Sequence, residues 1–77
     1  MNLKVGDKVV RKLGGLLVIP MEVAQVTSDQ VVCSPVEGGR TLPLKYTFDL
    51  ATGMEIDDGM EWGPKYGATG SYLVVLN

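Results

Sequence analysis

Four carboxylates fall within seven positions, at Glu55, Asp57, Asp58 and Glu61, and the only tryptophan of the chain, Trp62, follows at once. Tyr66 comes next across Gly63-Pro64-Lys65, so two aromatic rings share a Gly/Pro-rich loop with dense negative charge. Ring faces attract cations through their quadrupole and carboxylates attract them through charge. The combination therefore suits a small cationic ligand or a basic, proline-containing peptide. In that reading Trp62 and Tyr66 stack on the ligand while Asp57, Asp58 and Glu61 supply the charge. The plainer alternative is a solvated turn, with Trp62 capping the open end of a core. Clustered carboxylates also suit calcium, but the spacing lacks the Asp/Asn ladder and terminal glutamate of an EF-hand loop.

Covalent and acid–base catalysis have little to work with. The chain has no histidine, hence no standard triad and no side chain that titrates near neutral pH in its ordinary state. Cys33 is the only cysteine and lies in the apolar run Val31-Val32-Cys33, where a free thiol serves as a small hydrophobe. One thiol makes no disulfide within a chain, and without histidine it makes no zinc site. The pairs Gly14-Gly15 and Gly38-Gly39 lack the Gly-Lys-Ser/Thr that completes a phosphate loop; turn chemistry accounts for them. The expectation is a protein that is not an enzyme and holds no metal and no cofactor.

Lys4, Lys8, Arg11 and Lys12 place four of the seven basic residues at the N-terminal end. A first strand and loop of this kind touches phosphate in nucleic-acid-binding SH3-like (KOW-like) modules, which is the alternative function. The net charge of −2 opposes it, and no aromatic ring is interleaved among these bases. Lysines that protect a strand edge explain the cluster as well.

Short elements must position these groups. Glycine and proline interrupt the chain at Gly6, Gly14-Gly15, Pro20, Pro35, Gly38-Gly39, Pro43, Gly53, Gly59, Gly63-Pro64, Gly67 and Gly70. The pieces between are rich in valine, leucine, threonine and tyrosine, which predicts an all-β barrel or sandwich. The first strand spans about 8–12, entered through the Val5-Gly6-Asp7 turn. The second spans 16–27, interrupted at Pro20, whose missing N–H cannot serve a central ladder. Met21 and Val23 share one phase of it and Val26 the other, so a bulge is expected near Ala24-Gln25. The third, 30–34, puts Val31 and Cys33 on one face. The fourth, 42–49, alternates Leu44, Tyr46 and Phe48 with Lys45 and Thr47. A hairpin through Gly53, at positive φ, leads into Met54-Glu55-Ile56. A strand over 71–76 closes the sheet. Pro20 is also at home at a helix start, but the apolar spacing of 21–25 is poor for one.

The stretch Val5-Gly6-Asp7, Gly14-Gly15, Pro20-Met21-Glu22-Val23 and Val31-Val32-Cys33 resembles the start of the small bacterial proteins of the YodC-like kind. The resemblance covers the first 35 residues and implies a five- or six-stranded antiparallel SH3-like barrel, with residues 1–77 as one domain. It implies no activity. Small plasmid-borne dihydrofolate reductases are tetramers of such barrels, but their pore-lining valine-glutamine-isoleucine-tyrosine stretch is absent here. Two departures from the YodC-like pattern stand out. Pro35 sits where such sequences often carry tryptophan, and Leu16, Leu17, Val18 and Ile19 are added before Pro20.

Those four apolar residues form either an interface or a hairpin arm folded over its own core. Size favours the interface, because a single core below ~80 residues rarely supplies more than about 3–5 kcal/mol without a staple or partner. The expected protein is a homo-oligomeric, non-catalytic binding module whose partner is a protein or a small cationic ligand. The N-terminal residues carry no long apolar run, and nothing approaches the ~20 apolar residues of a membrane span. The expected location is cytoplasmic.

Overall fold

The computed structural model describes residues 2–13, 17–56 and 71–75. They contain no helix, and six strands form one antiparallel sheet: β1 (Lys8–Leu13), β2 (Leu17–Val26), β3 (Gln30–Glu37), β4 (Arg40–Thr41), β5 (Tyr46–Asp49) and β6 (Ser71–Val75). The order is β4-β3-β2-β1-β6, and β5 also pairs with β3. A short extended stretch after β5 joins the two ends. On one side Met54 O accepts from Asp49 N (2.8 Å) and Ile56 N donates to Thr47 O (2.9 Å). On the other side Glu55 N donates to Ser71 O (2.9 Å) and Leu73 N donates to Gly53 O (2.7 Å). The sheet thereby closes on itself as a small SH3-like barrel, which leaves few free strand edges.

Alternation sets the faces. Val9 opposes Met21, Val23 opposes Cys33 and Val31 opposes Phe48. All six are buried, and with Leu73 they form the core. The β2–β3 register shifts between Val23 and Gln25, where the change of apolar phase predicts a bulge. The bulge returns Val26 to the inside, where it packs against the core.

Both prolines in the sheet face places where a ladder stops. Val23 exchanges bonds with the chain next to β1, so the odd-numbered backbone groups of 17–23 face β1 and the even-numbered ones face β3. Pro20 faces β3 without an N–H to give, and the β2–β3 ladder goes no further than Met21 opposite Pro35. The strand itself does not break there, as the sequence suggested, and β2 runs through Pro20 because β1 pairs with it up to Leu17. Pro35 faces the other way, and its carbonyl accepts from Leu42 N (2.8 Å). Beyond it β3 pairs with β4, and before it with β5. β3 is accordingly longer than expected and β5 shorter: the strand expected over 42–49 begins at Tyr46, and Leu44 is 48% exposed.

Three turns among the described residues need left-handed backbone, the first at Gly6 (φ 95°) ahead of β1. Gly38 and Gly39 both have positive φ (62° and 79°) and form the two-residue link between Glu37 and the opposing Arg40. Gly53 (φ 80°) ends the turn after β5, where Thr52 Oγ1 also donates to Asp49 Oδ2 (2.9 Å). That turn sends Met54-Glu55-Ile56 back along β5, so it is what brings the closing stretch into place.

Candidate functional site: a buried arginine layer at one end of the barrel

Along β1 the inward row runs Val9, Arg11, Leu13, so a guanidinium follows directly on the apolar core. Inward positions on neighbouring strands bring it partners. Arg11 Nε donates to Ser71 Oγ on β6 (2.8 Å), and Nη2 donates to Glu55 Oε1 on the closing stretch (2.8 Å). Its Cζ lies 4.4 Å from the ring centroid of Tyr46 on β5. Arg11 is 6% exposed, Glu55 3% and Ser71 0%. Among the described residues no buried side-chain nitrogen or oxygen lacks a partner. Such a group is charge-balanced and satisfied, so it offers no vacant ligand position and no activated nucleophile. It ties β1, β5, β6 and the closing stretch together at one end of the barrel.

That end is also where the acidic-aromatic segment begins and returns. Ile56 and Ser71 flank residues 57–70, and the bond from Glu55 N to Ser71 O sets these flanks side by side. The sequence-expected ligand residues Asp57, Asp58, Glu61, Trp62 and Tyr66 lie outside the described residues. Glu55, which the sequence groups with those carboxylates, is turned inward onto Arg11 and is not part of any surface charge.

The expected interface residues separate. Leu16 lies outside the described residues. Leu17 and Val18 are each 58% exposed. Ile19 is half-buried and packs against the core, so it belongs with the folded-arm alternative. The basic cluster is also divided, since Arg11 is buried and Lys8 is ion-paired with Glu22. Lys4 and Lys8 stay exposed, Lys8 with its side chain 65% exposed beside Glu22, so of the four bases Arg11 is the one withdrawn from the surface.

Sequence reasoning missed the pairing of Arg11 with Glu55 by assigning each to a surface cluster of its own sign. A signal was there: Arg11 is two residues from Val9 in a strand whose alternate positions point inward.

Cys33 is fully buried in β3, and loss of hydration pushes its thiol from 9.0 up to about 12. Below the lower value both folded and unfolded chains keep the proton, and the thiol contributes no pH dependence. Between the two values only the folded chain keeps it, so stability falls as pH rises, by up to about 1.4 kcal/mol per pH unit. Urea unfolding compared below and above that lower value should show this slope in the native chain and its reduction in Cys33→Ala. An unchanged slope in the variant would mean that the thiol is not shielded.

Among the described residues no group of three or more His, Cys, Asp or Glu is placed to hold a metal, and no helix is long and apolar enough to cross a membrane. No protein family, curated protein or solved structure matches the chain.

Proposed function

We propose that the chain is a non-catalytic binding module that self-associates through the arm of the β1–β2 hairpin. In the same proposal it binds a small cation or basic peptide at the segment after Ile56. One observation supports the self-associating half: Leu17 and Val18, adjacent in β2, are both 58% exposed. Beyond Pro20 this part of β2 has β1 on one side and, among the described residues, no strand on the other. The backbone N–H and C=O of Val18 face that open side, and residues 17–20 of this edge carry no charge of their own, although Lys12 stands opposite Val18 on β1. A short uncharged edge of this kind invites a second strand.

Light scattering at low and high micromolar protein tests it. The native chain should have a mass above one chain, and Val18→Asp should reduce it to one chain while the sheet signal in circular dichroism is kept. A native chain that stays monomeric overturns the proposal.

The ligand half rests on the sequence alone, with Trp62 and Tyr66 stacking and Asp57, Asp58 and Glu61 supplying charge. A basic, proline-containing peptide should shift Trp62 fluorescence, and Trp62→Ala should weaken binding without unfolding the barrel. Retained affinity in that variant would discard this site.

A further inference from the structure

The stretch that closes the barrel is short and held by polar contacts, and we propose that it is a latch. Residues 53–56 detach from β5 and β6 while β1, β2 and β3 stay folded, and Arg11 is the catch. The pairing is uneven around the ring. The latch is joined through isolated bridges, Phe48 opposite Glu55 and Met54 opposite Tyr72, with two backbone bonds noted above on each side. The β1–β2 ladder, by contrast, has six register pairs and the β2–β3 ladder five.

The side chains differ in the same direction. Met54 and Ile56 are half-buried, so the buried side chain that the latch contributes is Glu55, a charge. Withdrawing an apolar side chain from a core carries its full hydration cost. Withdrawing Glu55 breaks an ion pair but returns two charges to water, and that recovered hydration offsets much of the lost attraction. Phe48, which the latch covers on one side, keeps Val31 opposite it on β3. Opening releases Ile56 and Ser71 together, so a ligand with different affinity for the two states would move the latch by that difference.

Amide hydrogen exchange of the whole chain in low urea tests the latch independently of self-association or ligand. The amides of Asp49, Glu55, Ile56 and Leu73 should exchange at least about tenfold faster than that of Val23, and with little dependence on urea, as a local opening does. Ser71→Ala keeps both charges but removes the acceptor of Arg11 Nε, and should speed those four amides by a further tenfold or so. The latch is overturned if the four share the rate and urea slope of Val23. Rates unmoved by Ser71→Ala would equally overturn Arg11 as the catch.

Discussion

Phe48→Ala should leave no stably folded barrel. Phe48 is 0% exposed and is the largest of the fully buried side chains among the described residues. It stands where β5 meets Val31 on β3 and Glu55 on the closing stretch, so one ring covers two seams. Removing a buried phenyl ring costs about 3–5 kcal/mol. A single core in a chain this short supplies about 3–5 kcal/mol in all, which leaves no margin. Phe48→Leu keeps most of the volume and should cost less than about 1.5 kcal/mol. Leu44→Ala is the sharper control, because Leu44 shares the alternation of Tyr46 and Phe48 in the sequence yet lies before β5 and is exposed. Its effect should stay within about 0.5 kcal/mol. Urea unfolding followed by circular dichroism decides all three. A cooperative Phe48→Ala transition close to that of the native chain would show that Phe48 does not anchor the closure.

The contrast between Leu44 and Phe48 shows what a sequence of this kind reveals. Local alternation is a property of neighbouring residues, so Met21 with Val23, Val31 with Cys33, the bulge after Val23 and the positive φ of Gly53 are all legible without coordinates. Where a strand begins depends on what runs beside it. β4 takes the part of the β3 edge beyond Pro35, and after the bond from Leu42 N to Pro35 O the chain before β5 joins no ladder among the described residues, which leaves Leu44 exposed. The same limit applies at the candidate site. Arg11 and Glu55 are 44 residues apart, and charge composition places them in opposite surface clusters. Only the closure of the barrel brings them together. Of the surface residues, Leu17 and Val18 are legible as an uncharged apolar run before Pro20 and are exposed.

Replacing one member of the Arg11 layer should be far more damaging than replacing all of it. Arg11→Met leaves the Glu55 carboxylate 3% exposed in the native arrangement, without its cation. Breaking a buried ion pair from one side costs about 3–5 kcal/mol. That is the whole stability expected of a chain this size, so the single variant should not hold the closed barrel. Arg11→Met combined with Glu55→Met and Ser71→Ala removes both charges and the hydroxyl that would otherwise lose its partner. Apolar replacement of a buried pair is often neutral or stabilising by about 1–4 kcal/mol, and the thioether introduced on β1 would take over the face of Tyr46. The triple variant should therefore unfold at a urea concentration at or above that of the native chain. Its Glu55→Met and Leu73 amides should also lose their separate fast exchange, because an apolar seam gains nothing from water when it opens. A triple variant as unstable as Arg11→Met would mean that the layer holds the closure by shape and not by a balanced charge. A stable triple variant whose seam still opens early would instead place the weakness in the short backbone pairing of residues 53–56.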